Sequence, residues 1–284
     1  MGSNKVSPGI KAQKLIILWV SRVIIWFSII LVLFPMVWIV ASSFSKGDNF
    51  FYGSVFPQEW GVDNYERLFK ETDFMKWVFN SLKVCTFVAL IQIVLTVTAA
   101  YAFSRMKFHG RKYGLMSLMI LQIFPASMAT AAIYYMIYKL NLVDNMAALI
   151  LLLAGGSAYN IWLMKNYIDK LPRELDEAAL VDGAGHFTIF RKITIPLAMP
   201  MIVVIFLFSF IGAYSEFIIT AVVMRSPENL PLSVGLQTFI NGNFATRWTL
   251  FSAAALLSSI PVMIIFMLLQ KYIQSGLAAG AVKG

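Results

Sequence analysis

The feature that most constrains this chain is a set of six long stretches without a charged residue. Each has about 20 residues or more, and a helix rising about 1.5 Å per residue then crosses a hydrocarbon core about 30 Å thick. The stretches run from Val23 to Ser45, Val84 to Ser104, Tyr113 to Tyr138, Asn145 to Met164, Ile193 to Ser215 and Trp248 to Gln270. The sequence therefore predicts an all-α integral membrane protein with six transmembrane helices.

Composition supports this class and argues against catalysis within the chain. Only 13% of the 284 residues are charged and 59% are hydrophobic, whereas soluble domains carry about 25% charged residues. Neither a G-x-x-x-x-G-K-[ST] loop nor a G-x-G-x-x-G motif occurs, so nucleotide chemistry is expected in another chain. Cys85 is the single cysteine, and His109 and His186 are far apart. No metal site and no catalytic site are therefore predicted.

The distribution of basic residues predicts the orientation. With both termini inside, the cytoplasmic segments hold 15 of the 23 Lys and Arg residues, four of them in the short loop from Arg105 to Lys112, as the positive-inside rule requires. The predicted segments are a cytoplasmic N-terminus 1–22, an external loop at about 46–76, a cytoplasmic loop at about 165–196, an external loop at about 225–247 and a cytoplasmic tail 271–284. The net charge of +9 is thus a sign of topology and of contact with the lipid bilayer, and a nucleic-acid partner is not expected.

The loop at about 165–196 has the pattern of a short helix followed by a turn. Pro172 suits the start of a helix, and Glu174 and Asp176 would lie in its first turns, where the helix dipole favours acidic residues. Gly183 is placed to end that helix in a left-handed conformation. We expect a compact helix, turn and second helix that project from the membrane.

The same loop resembles the EAA loop of ABC importer permeases. Glu177-Ala178-Ala179, Gly183 and Ile193-x-Ile195-Pro196 match the signature E-A-A-x3-G-x9-I-x-L-P, with Ile195 in place of the usual Leu. Other segments are similar to the carbohydrate-uptake branch of that family, and the tail resembles maltose/maltodextrin permeases. These segments are Asn64-Tyr65, Trp77, Asn80-Ser81-Leu82, Ala100 to Arg105, Trp162 to Lys165, Val234 to Gln237 and Ser275 to Gly284.

This resemblance implies a type I importer fold and a division of labour between chains. The whole chain, 1–284, would be one permease domain in a prokaryotic cytoplasmic (inner) membrane. It would pair with a second homologous permease, two copies of a cytoplasmic ABC ATPase and an extracytoplasmic sugar-binding protein. ATP and Mg²⁺ would belong to the ATPases, and the substrate would be a maltodextrin-type oligosaccharide. The residues that would contact the ATPase are Glu177, Ala178, Ala179, Asp182 and Gly183.

The resemblance also assigns the C-terminal tail. In the family the tail reaches between the ATPases, which would involve Gly276, Gly280, Lys283 and Gly284. Ala279 and Ala281 differ from the Thr and Gly typical of similar tails. Because termini are commonly disordered, an unstructured tail is the alternative.

Few residues are candidates for the translocation pathway. Glu216 is the carboxylate that we place within the membrane region, where a charge is costly unless it faces water or a partner. Tyr214, Ser215, Gln122 and Asn160 could also offer hydroxyl or amide groups to a sugar. The same residue types commonly join transmembrane helices through hydrogen bonds, so a structural role stays open for all five.

Two other function classes would require features that are not evident in the sequence. An ion-coupled secondary transporter would carry more buried ionisable groups or paired broken helices, and neither is evident. A membrane enzyme would need a catalytic cluster. Within the importer class, a galacto-oligosaccharide, another disaccharide or a glycerol phosphate is the alternative cargo.

Overall fold

A computed structural model of the chain describes residues 8–47, 56–123, 126–240 and 247–281. Within these ranges the fold is helical, and one isolated antiparallel bridge joins Ser45 to Trp60. Four of the described helical segments are long and apolar enough to cross a membrane. They contain helices α1 (Pro8–Ser43), α3 (Phe74–Arg105), α10 (Ile195–Ser215) and α13 (Trp248–Ala281).

Shorter helices connect or extend these crossings. They are α2 (Asp63–Glu71), α4 (Arg111–Leu121), α5 (Thr130–Lys139), α6 (Met146–Ala154), α7 (Ala158–Ile168), α8 (Arg173–Val181), α9 (His186–Ile189), α11 (Ile218–Val223) and α12 (Leu232–Gln237). A π-helical turn, Phe190–Thr194, joins α9 to α10, so residues His186–Ser215 form one continuous membrane-length segment.

The predicted crossing from Asn145 to Met164 is bent. Helices α6 and α7 are together long and apolar enough to cross a membrane, but they meet at an angle of 47°. Between them lie Gly155, Gly156 and Ser157, residue types at which helices commonly kink. The predicted stretch is therefore a helix broken at these residues.

The predicted crossing from Tyr113 to Tyr138 is not one continuous helix. Its residues are divided between α4 and α5, with a 3₁₀ turn at Ala126–Ala129, and neither helix alone reaches the length of a bilayer. The stretch includes Pro125, a residue that removes a hydrogen bond and clashes in a helix interior. The all-α fold is confirmed, and the predicted count of six helices is confirmed in part: the described chain has four continuous segments, one bent pair and one divided stretch.

Helix α3 is the centre of the bundle. It packs against α6, α7 and α10, and buried side chains follow it from Trp77 to Tyr101. One cluster gathers around Trp77 and Val88, and a second joins Val97 to Met164 of α7 and Val204 of α10. A movement of α3 would therefore displace residues in most of the core.

Helix α1 lies against the bundle only at its end. Its described side chains are exposed from 14 to 37, while Ser42 and Ser43 are buried. The Ser252 hydroxyl of α13 donates to the Ser42 hydroxyl at 3.1 Å. The buried Asn64 amide of α2 donates to the carbonyls of Ser43 and Ser45. These polar contacts hold α1, α2 and α13 together at one end of the bundle.

A carboxylate joins two loops at that same end of the bundle. Oδ1 of Asp144 accepts hydrogen bonds from the backbone N–H groups of Arg225 and Ser226, and Oδ2 accepts one from the Asn229 amide. Burial alone would raise the pKa of Asp144, but these hydrogen bonds outweigh it and lower the pKa to about 2. The connection after α5 is thereby fixed to the segment after α11.

Candidate functional site

The predicted projecting helix is present as α8. Pro172 immediately precedes it, Glu174 and Asp176 lie in its first turn, and Gly183 has a φ of +82°. The Gly183 N–H donates to the Leu180 carbonyl at 3.0 Å, and the Ala184 N–H donates to the Ala179 carbonyl at 2.9 Å. This pair of bonds is a Schellman cap, so the chain turns sharply after α8.

The surface of α8 is open and partly apolar. No residue of the helix is buried, Val181 is 88% exposed, and Phe187 just beyond the cap is 73% exposed. Glu177, Ala178, Asp182 and Gly183 are exposed, and Ala179 is half-buried. The five predicted contact residues thus share one accessible projection, which has the apolar side chains that a protein partner could cover.

Helix α8 is attached to the end of α3 by an ion pair. Nε of Arg105, the last residue of α3, lies 2.7 Å from Oδ2 of Asp176, and the side chains are 7% and 16% exposed. The contact is an ion pair rather than an aligned hydrogen bond. Nη2 of Arg105 also donates to the Leu171 carbonyl at 2.9 Å. The guanidinium therefore holds α8 and the connection before it.

Two further contacts reinforce this attachment. The Tyr101 hydroxyl donates to the His186 carbonyl at 3.2 Å, and the Ser104 hydroxyl donates to Oδ1 of Asp169. Burial alone would raise the pKa of Asp169, but hydrogen bonds from Lys165 and Ser104 and the charge of Lys165 keep it below its usual value. Tyr101, Ser104 and Arg105 of α3 therefore tie the projection and the loop before it to the core.

Sequence reasoning did not assign roles to Arg105 or Tyr101. Both belong to the segment Ala100 to Arg105, which carried part of the resemblance, but nothing in the sequence indicates that they face α8 and α9. The available signal was an arginine directly after the uncharged stretch that ends at Ser104, since a charge that becomes buried there requires a partner.

A second candidate site is a cavity of about 490 Å³ inside the bundle, bounded by α3, the bent pair α6–α7 and α10. Predicted pathway residues Gln122, Asn160 and Glu216 line it. The remaining lining residues are Val88, Gln92, Leu153, Gly156, Tyr159, Phe208, Ser209, Ile211, Gly212 and Ala213. The break between α6 and α7 contributes Gly156 directly to this cavity.

A hydrogen-bond network forms one wall of the cavity. The Asn160 amide donates to Oε1 of Gln92 and to the Ser209 hydroxyl, each at 3.2 Å. The Gln92 amide donates to the Leu153 carbonyl at 3.0 Å, and Oε1 of Gln122 accepts from the Tyr159 N–H. Gln92 and Ser209 were not predicted as site residues, although each is a polar residue within an uncharged stretch.

Glu216 lies at the end of a membrane helix rather than within it. Helix α10 ends at Ser215, and the Glu216 carboxylate accepts hydrogen bonds from the Ile219 N–H, the Thr220 N–H and the Thr220 hydroxyl. The expected position inside a span is therefore corrected. The carboxylate caps the first turn of α11, and this bonding satisfies its charge.

Tyr214 and Ser215 are not brought to this cavity. The Tyr214 hydroxyl donates to the Ser258 carbonyl of α13 at 2.7 Å, and its side chain lines a different cavity, beside Ser258 and Val262. Ser215 is exposed and lines neither. The five residues proposed from sequence therefore separate into three at the cavity and two elsewhere.

The C-terminal tail is helical for most of its length. Helix α13 continues through Ala281 and includes Gly276 and Gly280. Lys283 and Gly284 lie outside the described residues. Among the residues described, no group of three or more His, Cys, Asp or Glu side chains is arranged to hold a metal ion.

Membrane-length helices around a polar cavity, with a projecting helix anchored to the central helix, define a membrane transport subunit. The chain belongs to the family described as "Binding-protein-dependent transport system inner membrane component", whose model matches residues 92–279. It is thus a multi-pass component of the inner membrane.

Known relatives narrow the class further. The chain is 37% identical to the maltodextrin transport permease MdxG of Bacillus subtilis, over 88% of this chain and 91% of that protein. It is also 37% identical to the galactooligosaccharide permease GanQ of the same species, over 97% and 99% of the two chains. A bacterial ABC transporter involved in import of the acidic polysaccharide alginate has a similar structure, with a TM-score of 0.77, 26% identity and coverage of 95% and 100%.

These similarities confirm the predicted class. The chain is a sugar permease subunit of an ABC importer with the type I fold, and it is not an enzyme. The ion-coupled transporter considered from the sequence is wrong, because importers of this class are driven by a separate ATPase.

Proposed function

We propose that this chain forms one half of the membrane pathway for neutral oligosaccharides of the maltodextrin type. Its partners would be a second homologous permease, two copies of a cytoplasmic ATPase that bind ATP and Mg²⁺, and an external sugar-binding protein. The observation that carries the choice of sugar is the recurrence of maltose and maltodextrin permeases among its relatives, at 32–37% identity over most of both chains.

The chemistry of the cavity supports a neutral cargo. Its polar lining consists of amides and hydroxyls such as Gln92, Asn160 and Ser209, together with Glu216. No Lys or Arg is among the described residues that line it. Amides and hydroxyls can exchange hydrogen bonds with sugar hydroxyls, whereas an acidic polysaccharide or a glycerol phosphate would be expected to require cations.

Galacto-oligosaccharides are the second candidate cargo. The permease GanQ is as similar in identity as MdxG, and the alignment extends over nearly the whole of both chains. Both kinds of sugar are neutral, so the lining of the cavity suits either.

The exposed projection supports a role in coupling. Leu180, Val181 and Phe187 are exposed apolar residues on a segment that is anchored to α3 through Arg105 and Asp176. A rigid attachment transmits a displacement that a loose loop would absorb. We assign the ATPase contact to this projection, with Glu177, Ala178, Ala179, Asp182 and Gly183, and extend it to Gly276, Gly280, Lys283 and Gly284 of the tail.

This assignment implies a topology for the chain, which forms a single domain, 1–284, in this proposal. The N-terminus 1–22, the loop at about 165–196 and the tail 271–284 are cytoplasmic, and the loops at about 46–76 and 225–247 are external. Cysteine labelling in sealed inverted vesicles tests it in a Cys85→Ala background. Val181→Cys should react with an impermeant maleimide there and Glu59→Cys should not, and the reverse pattern would invert the topology.

The cargo is tested by ATP hydrolysis in liposomes that contain this chain with its presumed partners. The sugar panel comprises maltose, maltotriose, longer linear glucans, galacto-oligosaccharides and alginate oligosaccharides. Stimulation confined to linear glucans supports the proposal. Stimulation by galacto-oligosaccharides alone selects the second candidate, and stimulation by alginate fragments contradicts a neutral cargo.

A further inference from the structure

A larger cavity, of about 770 Å³, lies apart from the sugar cavity. It is formed where α3 ends, α4 begins and α7 ends. Of its lining residues, only Lys165 takes part in the contacts described for α8, and none lines the sugar cavity. Phe103 contributes from α3, Phe108 from the connection between α3 and α4, Tyr113 and Met116 from α4, and Trp162 from α7. The cavity therefore has a strongly aromatic and apolar lining.

Three cations stand at this cavity. Nε and Nη2 of Arg111 donate to the carbonyls of Phe103 and Ser104, each at 2.9 Å, which fixes the guanidinium in place. Lys165 pairs with Asp169, and the exposed Lys112 places Nζ 5.4 Å from the centre of the Tyr113 ring. Asp169 pairs with one of these three cations, Lys165, so the cavity keeps an excess of positive charge.

The sequence indicates where these cations lie relative to the membrane. Arg111 and Lys112 immediately precede the uncharged stretch that starts at Tyr113, and Lys165 immediately follows the stretch that ends at Met164. Two apolar stretches thus begin and end at this cavity. Lys and Arg beside Tyr and Trp at such boundaries are typical of the headgroup level of a bilayer.

The rest of the wall continues along the apolar part of α4. Leu115 is buried, Met116 is 61% exposed, and Met119 also lines the cavity. A small soluble anion would leave these side chains uncovered. A molecule with an anionic head and hydrocarbon chains would satisfy both parts of the wall.

We propose that this cavity binds an anionic phospholipid, with its phosphate at Lys112 and Arg111 and an acyl chain along Met116 and Met119. The leaflet is the cytoplasmic one, and this detail alone rests on the proposed orientation of the permease. Basic pockets between membrane helices on the cytoplasmic side suit such headgroups.

Native mass spectrometry of the complete importer in detergent tests binding independently of orientation, sugar and transport. The probes are phosphatidylglycerol and phosphatidylcholine with identical acyl chains. The wild type should retain phosphatidylglycerol preferentially, and Lys112→Gln should weaken its retention about fivefold, the contribution of one basic side chain at a membrane surface. Equal retention of the two lipids by the wild type would overturn the proposal.

Two variants separate this cavity from general surface charge. Lys170→Gln removes an equal charge from an exposed position that does not line the cavity, and it should leave retention unchanged. Met119→Trp should fill the acyl site and weaken retention although every cation remains. An equal loss in Lys170→Gln, or full retention in Met119→Trp, contradicts the assigned site.

A photoreactive residue at Met116 of the importer in native membranes identifies the occupant directly. A phospholipid adduct supports the proposal. An adduct to the second permease or to the ATPase would mean that a protein covers this cavity, and would overturn it.

Discussion

Arg105, the last residue of the central helix α3, forms a largely buried ion pair with Asp176 of the projecting helix α8, with 2.7 Å between Nε and Oδ2. The pair joins the part of the permease that packs against most of the core to the part whose apolar side chains are exposed. A force applied to α8 therefore reaches α3 through a short, charged contact.

Breaking this pair should loosen the coupling segment. Removal of one partner of a buried ion pair costs about 3–5 kcal/mol, and the 16% exposure of Asp176 places the expected loss at the lower end. We expect Asp176→Asn to lower the melting temperature and the sugar-stimulated ATP hydrolysis of the reconstituted importer. Glu174→Gln, on an exposed position of the same helix, should match the wild type. Equal effects of the two variants would argue against a specific role for the pair.

The cap of α8 should tolerate only glycine well. Gly183 has a φ of +82°, and nothing lies within 4 Å of an added Cβ, so the obstacle is backbone strain of about 1–2 kcal/mol. Gly183→Val should leave membrane insertion intact and weaken co-purification of the ATPase. Gly185→Ala is the control, because Gly185 has a φ of −77°. Normal ATPase binding and transport by Gly183→Val would remove the coupling assignment.

Substitutions at Gly235 should be limited by the space around it rather than by its backbone conformation. A Cβ built on Gly235 of α12 would overlap with the indole ring of Trp77, which is buried in α3. Overpacking of this kind typically costs about 1–3 kcal/mol, so Gly235→Ala should lower the melting temperature in detergent. Gly212→Ala provides the contrast, since an added Cβ there meets nothing within 4 Å. Similar melting temperatures for both variants would contradict this packing.

Asp144 should make stability depend on acidic pH. Its pKa is lowered to about 2 in the folded chain, below the unfolded value of about 4. Such a carboxyl stabilises the fold above about pH 4, and this contribution is lost as the pH falls toward 2. Asp144→Asn keeps a residue type that accepts the local φ of 61°. The variant should melt lower than the wild type at pH 7, with a smaller difference near pH 3. A difference that is constant with pH would exclude titration of Asp144 as the cause.

Glu216 should behave mainly as a helix cap. Loss of a capping side chain costs about 0.5–2 kcal/mol, so Glu216→Ala should lower the melting temperature, and Glu216→Gln, which keeps one acceptor, should lower it less. The sugar concentration that half-saturates stimulated ATP hydrolysis should stay unchanged in Glu216→Gln. A stable variant with altered sugar dependence would instead place Glu216 in the pathway.

Uncharged stretches predicted the membrane helices well, even where a proline lies within them. Four continuous segments appeared in the predicted places, and three of them contain an internal proline, Pro35, Pro200 or Pro261. The stretches that include Pro125 and the pair Gly155-Gly156 are interrupted instead. The length and hydropathy of a stretch indicate that it lies in lipid. They do not indicate where its helix bends.

Prediction of the site succeeded for local features and failed for contacts between distant residues. The helix of residues 173–181 and its cap at Gly183 follow from rules that act within one turn. The ion pair of Arg105 with Asp176, and the separation of Tyr214 from Asn160, depend on which helix faces meet. Periodicity is weak in helices that are apolar on all sides, so the sequence carried little information on those faces.

The hydroxyl contact between Ser42 and Ser252 has a consequence for biosynthesis, because its residues are 210 positions apart. Asn64 likewise accepts a hydrogen bond from Thr249 of the last helix. Helix α1 must therefore reside in the bilayer without this neighbour until α13 has been translated. A chain released before Trp248 would leave the Ser42 hydroxyl of α1 and the Asn64 amide oxygen of α2 without these partners.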